Sequence, residues 1–231
     1  MSSIDERMLP LLKEEGLRKL HSSKVVVFGL GGVGGTCFEA LVRTGIEPLI
    51  GVDFDTIEPS NLNRQMLFSS KDLGRKKSEV TLERAKGIRP ELEVSCLDMK
   101  VDEVSLESDL FNADLWIDAV DDLDAKVALI EKSRSKGIPL FVSLGMGNRL
   151  DPSKVYSTRL DKSEGDPLAK RLRKRLRERG IPLKEVTVVL SKELPLVRTL
   201  TPSSLMMVPS AAGLLLASLG IGLLLKKDEK R

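Results

Sequence analysis

The stretch Val25–Gly35, VVVFGLGGVGG, sets a β-branched apolar run directly against a glycine-rich turn. An unbroken apolar run closed by turn residues is the pattern of a strand buried on both faces. The spacing Gly29-x-Gly31-x-x-Gly34 suits a tight turn, close backbone approach to a phosphate, and close packing of the next helix on the strand. Amides at the start of that helix then face an anion. In VGGTCFEALVRTGI, Val33, Cys37, Ala40, Leu41 and Val42 form an apolar stripe, and Gly45 is the stop. PLIGVDFD supplies a second strand ending in acids, at the distance a dinucleotide unit requires. Read alone, the turn fits NAD as well as any other phosphate ligand.

Outward from this unit the alternation continues. On the amino side, EEGLRKL (14–20) reads as a helix leading into the first strand. On the carboxyl side come a helix in GRKKSEVTLERAKGI ended by Pro90, a strand in LEVSCLDM and another in ADLWIDAVDD. LDAKVALIEKSRSKGI is helical and PLFVSLG is again a buried strand. Strands alternating with helices of this length predict a Rossmann-like α/β fold, a mainly parallel sheet with helices on both faces. Beyond Asp151, KVYSTRL and EVTVVLSKE read as antiparallel strands extending the sheet, with DPLAKRLRKRLRERG as a basic helix between them. The expectation is one domain over residues 1–231: a nucleotide-binding core to 150, then a substrate-facing extension and closing helix.

Composition sets the outer bounds. The 231 residues are 41% hydrophobic, enough for a substantial core. The two cysteines make neither a disulfide framework nor paired zinc hooks, which points to a reducing, cytoplasmic setting. A net charge of +3 is too small to argue nucleic-acid binding by itself. The N-terminal twenty residues are charged throughout and lack the apolar core of a secretory signal.

The chemistry enters after the second strand. VDFDTIEPSNLNRQ (52–65) gathers Asp53, Asp55, Asn61, Asn63, Arg64 and Gln65 in one loop. An arginine and amides aimed near phosphates suit phosphoryl chemistry, where charge must be neutralised; hydride transfer needs no such group. The glycine turn, this loop, GRKKSEV and DAVDD occur in the order and spacing that resemble the ubiquitin-activating-enzyme-like adenylyltransferases, from about Arg7 to Gly147. That resemblance implies cleavage of ATP between its α and β phosphates, with AMP passed to a substrate carboxylate. It implies roles for Gly29, Gly31 and Gly34 at the phosphates, Asp53 at the ribose with Asp55 beside it, and Asn61 and Arg64 as a phosphate-contacting pair. Lys77 would contact the phosphates, with adjacent Lys76 an open alternative, and Asp121 would hold magnesium. Arg7 would reach the nucleotide of a second subunit, implying a homodimer. Independently, carboxylate attack on an α-phosphate needs cations on the entering and leaving sides and an acid-held metal, which Arg64, Lys77 and Asp121 supply.

No CxxC pair is present; Cys37 lies on an apolar helical stripe and Cys96 in a strand, which argues against covalent thioester transfer, and adenylation of a sulfur-carrier or ubiquitin-like tail is the second reading. Downstream, GMGNRLDPSKVYSTRLDKSEGDPLAKRLRKRLRERGI resembles the branch of tRNA threonylcarbamoyladenosine dehydratases, extending the likeness over nearly the whole chain. That branch implies adenylation of the threonylcarbamoyl carboxylate on tRNA and cyclisation with loss of water. It leaves open a sulfur-transfer or electron-handling partner protein and a bound monovalent ion. In the basic helix, Lys170, Arg171, Arg173, Lys174, Arg175, Arg177 and Arg179 flank Leu168, Leu172 and Leu176. With Glu178 as the lone acid there, the excess fits contacts to RNA phosphates. Aromatic residues are only 3% of the chain, so base stacking is not the recognition mode expected. Finally, residues 205–225 carry no charge and, at about 20 residues, match a bilayer span in length. Pro209 in the first turn shortens that helix, and a core helix packed on the sheet is preferred to a membrane anchor.

Overall fold

The computed structural model describes residues 3–197 and 202–226. Seven strands, β1 (Val25–Phe28), β2 (Leu49–Val52), β3 (Val94–Leu97), β4 (Leu115–Asp118), β5 (Leu140–Ser143), β6 (Val155–Arg159) and β7 (Thr187–Ser191), form one sheet. Their order is β3-β2-β1-β4-β5-β7-β6. All neighbours run parallel except β6, which pairs antiparallel with β7 as the edge strand. The C-terminal extension therefore divides: β7 continues the parallel sheet beside β5, and β6 turns back.

Around it lie α1 (Leu9–Leu20), α2 (Gly32–Thr44), α3 (Lys77–Ile88), α4 (Leu123–Lys136), α5 (Pro167–Glu178) and α6 (Met207–Lys226). The first helix starts earlier than its sequence pattern suggests; Lys13, at φ 58° and ψ 173°, breaks its two parts just before Glu14. β1, β2 and β4 are buried at every position because both faces are covered. Val25 and Val27 pack with α2 and α6, while Val26 and Phe28 pack with Trp116 and α4 on the other side. Phe28 meets Phe111 and Trp116 edge-on, at centroid distances of 5.4 and 5.2 Å.

Helix α6 has the length and apolarity of a membrane span. One side of it is buried, with Val208, Ala212, Leu216, Ala217, Gly220 and Leu224 in the core. Two glycines set its depth. A Cβ on Gly213 would overlap the Val33 carbonyl oxygen, and one on Gly220 would approach Leu115 Cδ2 to 2.8 Å. Gly222 on the same helix faces open space. Gly222→Ala is expected to raise unfolding free energy by about 0.5–1 kcal/mol, since alanine is the better helix former. Gly213→Ala is expected to lower it by pushing α6 off α2; chemical denaturation of both variants checks the pair of signs.

Candidate nucleotide site

The strand order reverses between β1 and β4, so their carboxyl ends open a crevice where doubly wound sheets bind ligands. The glycine turn sits there. Gly29 adopts φ +87°, a conformation L side chains rarely take, and a Cβ on it would lie 2.7 Å from the Ala119 carbonyl oxygen. A Cβ on Gly34 would collide with the Gly29 carbonyl oxygen. Gly31 is the N-cap of α2. Gly31, Gly32 and Val33 are only half-buried, leaving a cradle with helix amides facing it.

Asp53 fastens the cradle to the end of β2. Its Oδ2 accepts the Leu30 N–H at 2.7 Å and its Oδ1 the Asp55 N–H at 2.9 Å. Burial raises its pKa above the ordinary carboxylate value, against the opposing pull of Lys77. Lys77, at the first turn of α3, is itself buried, and its Nζ donates to Asp55 Oδ2 at 2.6 Å. Its neighbour Lys76 faces elsewhere: that ammonium is exposed and donates to the Phe54 carbonyl and to Asp98.

Asn61 is buried, and its Oδ1 accepts the Glu58 N–H, closing the short 59–61 helical turn. That turn carries Arg64, whose N–H bonds the Asn61 carbonyl. Its guanidinium donates to the Ser60 carbonyl at 2.7 Å and to Asn63 Oδ1 at 2.9 Å, both neutral acceptors. The Arg64 stem lies along the turn: a Cβ on Gly32 would be 3.5 Å from Arg64 Cγ. The arginine thus keeps its full charge beside the cradle. Asp121 is exposed in the loop after β4, two residues beyond the Ala119 that touches Gly29. No group of three or more acidic, histidine or cysteine side chains forms a metal cage among the described residues. A single carboxylate fits magnesium that takes most of its ligands from phosphates and water.

Arg7 alone is not brought to this crevice. Asp5, two residues before it, is buried against Arg89 at 2.6 Å, and Arg89 also donates to the Arg43 carbonyl. Arg43 lies at the end of α2 and Arg89 just after α3, so this anchor is at the amino ends of the strands. Arg7 is exposed at that far end.

Two buried ion pairs were not legible as site elements. Asp118 and Lys126 are both fully buried; Lys126 Nζ donates to Asp118 Oδ1 at 3.0 Å and to the Ser143 carbonyl at 2.8 Å. Asp118 Oδ1 also accepts the Val120 N–H, so one ammonium ties β4, β5 and the loop bearing Asp121. Burial pushes the Asp118 carboxyl above the ordinary range, and Lys126 opposes that. The available signal was a lysine inside the apolar run Ala125–Ile130. The second pair is Arg149 with Asp166 at 3.1 Å; Arg149 also donates to the Gly145, Gly147 and Glu193 carbonyls. Asp166 caps α5 by accepting the Ala169 N–H, so the basic helix starts at the crevice end of β5.

On α5 the cations separate into two sets. Arg175 pairs with Asp124, Arg179 with Glu131, and Arg173 donates to Ser163. Lys170, Arg171, Lys174 and Arg177 are exposed on the side opposite Ala169, Leu172 and Leu176, with Lys174 3.9 Å from Glu178. Ala169 is buried more completely than Leu168, which is half-buried.

A glycine cradle at the switch point, an acid at the second strand end, and an arginine held beside them by neutral acceptors define a nucleotide-binding α/β domain. The chain belongs to the ThiF family, whose model matches residues 5–230. It is similar to the tRNA threonylcarbamoyladenosine dehydratase of Bacillus subtilis, 34% identical over 94% of this chain and 92% of that protein. The crystal structure of Escherichia coli tRNA N6-threonylcarbamoyladenosine dehydratase with AMP superposes with a TM-score of 0.93 at 31% identity, covering 97% and 95% of the two chains. The same enzyme's ATP complex gives 0.90 at 30% identity, with the same coverage.

The Lys126 bridge carries a stability test. Lys126→Met strands Asp118 as a buried charge without its partner, and is expected to cost about 3–5 kcal/mol. Adding Asp118→Leu should recover most of that loss in denaturant titrations.

Proposed function

We propose that this protein is an ATP-dependent tRNA threonylcarbamoyladenosine dehydratase, and that Gly29, Gly31, Gly34, Asp53, Asp55, Asn61, Arg64, Lys77 and Asp121 are its nucleotide site. The observation that carries the reading is Arg64: a cation without a carboxylate partner among the described residues, held against the first turn of α2. In the reaction, a carboxylate oxygen of the threonylcarbamoyl group attacks the α-phosphorus of ATP and the bond to pyrophosphate breaks. A nucleophile of the same modified base then takes the carbonyl carbon and AMP leaves, so the RNA loses one water. Arg64 and Lys77 would offset phosphate charge on the two sides of the α-phosphorus. Magnesium, when bound, would be held by Asp121 and supply further neutralisation of the phosphates.

The chemistry requires no thiol. Burial pushes the Cys37 thiol far above its ordinary pKa and that of Cys96 up to about 12, so neither is poised for thioester formation. This favours the dehydratase over the sulfur-carrier or ubiquitin-like adenylyltransferase.

The assembly proposed is a cytoplasmic homodimer of single-domain chains. Supporting it, Arg7 lies beyond reach of its own crevice, and apolar residues such as Leu11 (83% exposed) and Leu214 (55%) lie uncovered on α1 and α6. Burial of the opposite side of α6 against α2 and the sheet supports a core helix over a membrane anchor. The exposed cations of α5 are proposed to face tRNA phosphates.

Incubation with ATP and threonylcarbamoylated tRNA should yield AMP, pyrophosphate and a tRNA lighter by one water, measured by mass spectrometry. Unchanged RNA mass accompanied by AMP transfer to a protein tail would refute the reading. Arg64→Ala should lower turnover about 10²-fold, the scale of losing one charge-stabilising contact. Replacing Lys170, Arg171, Lys174 and Arg177 with alanine should weaken tRNA binding by about tenfold or more and flatten its salt dependence. Arg175→Ala and Arg179→Ala should instead leave that salt slope unchanged.

A further inference from the structure

We infer that Gln65 is an additional catalytic residue, its side-chain amide donating to an oxygen on the α-phosphorus; the inference rests on the nucleotide site proposed above. Gln65 is 5% exposed. Its Oε1 is buried and has no hydrogen-bond partner among the described residues. A buried amide end without a partner costs about 1–3 kcal/mol, and an apolar residue of similar size would avoid that cost. The folded chain therefore gains no evident stability from having glutamine here.

The other end of the amide shows where it acts. A Cβ built on Gly31 would lie 3.6 Å from Gln65 Nε2 and 3.9 Å from Gln65 Cδ. The space that Gly31 keeps open at the N-cap of α2 is the approach for phosphate, and Gln65 lines it. The position is rigid. The Gln65 backbone N–H bonds the Asn61 carbonyl at 3.0 Å, and the Gln65 carbonyl accepts the Phe68 N–H at 3.2 Å. Gln65 follows Arg64 directly, so one short turn presents a cation and a neutral donor to the same cradle. When the carboxylate adds, negative charge builds on the oxygens of the α-phosphorus, and a fixed N–H donor there acts on the transition state more than on bound ATP.

The test is Gln65→Leu, assayed by pyrophosphate exchange, ATP binding and thermal unfolding, with Arg64→Ala in parallel. Expected are a ten- to hundred-fold fall in kcat, a KM for ATP changed by less than about threefold, and a melting temperature equal to or above that of the parent. Full activity in Gln65→Leu while Arg64→Ala is crippled would overturn the role of Gln65 and leave the site intact. Unaffected Arg64→Ala would instead bring down the site itself. A lowered melting temperature in Gln65→Leu would make the amide a packing element and would also overturn the proposal.

Discussion

The approach of α2 to the end of β1 is the constraint on which the remaining structure depends. With no Cβ at Gly34, the helix starts against the Gly29 carbonyl; with Gly29 at positive φ, the chain turns within three residues under the Ala119 loop. That geometry lets Arg64 and Leu67 of the 59–68 loop, and Pro209, pack directly on the first turn of α2. Asp53 binds the Leu30 amide only because the turn is this tight. From the other side, α6 rests on the same helix through Gly213, so both the nucleotide cradle and the closing helix refer to α2.

Charge within the site is arranged in two ways. Asp118–Lys126 and Arg149–Asp166 are buried ion pairs, and through Asp118 Oδ1 and the Arg149 guanidinium they hold the loops at the ends of β4 and β5. Pairs of this kind add little net stability over apolar residues of equal volume, because desolvation offsets the attraction, but they fix geometry by demanding particular carbonyls and amides. Arg64 is the opposite case: it is held by neutral oxygens and retains its charge for an incoming anion. Lys77 is intermediate, buried in contact with the half-exposed Asp55.

The same division runs along α5. Its cations look equivalent in the sequence, yet those facing α4 pair with Asp124 and Glu131, while Lys170, Arg171, Lys174 and Arg177 remain outside. Helical periodicity located the buried stripe but not the acids on a neighbouring helix. Likewise Lys76 and Lys77 were indistinguishable by spacing; the start of α3 turns one to Asp98 and the other into the Asp53–Asp55 cluster.

The fold was legible because it rests on local signals: doubly buried strands such as Val25–Phe28 are written as apolar runs, and Gly29, Gly34 and Gly45 mark turns that other residues fit poorly. Motif order along the chain, through the resemblance it carries, proposed Asp53, Asn61, Arg64, Lys77 and Asp121 for the site; of these Asp53 lies at a strand end and Lys77 at a helix start. Lys126, Arg149 and the unmet amide of Gln65 were not legible, because their meaning lies in partners, or in a missing partner, far off in sequence. Nor was the parallel insertion of β7 beside β5, or the placement of Arg7 at the wrong end for its own crevice. The sequence by itself determined where strands, turns and helix starts fall, because those depend on neighbouring residues. Tertiary structure alone decided which charges are neutralised and which stay available, because an electrostatic partner is set by distance in space.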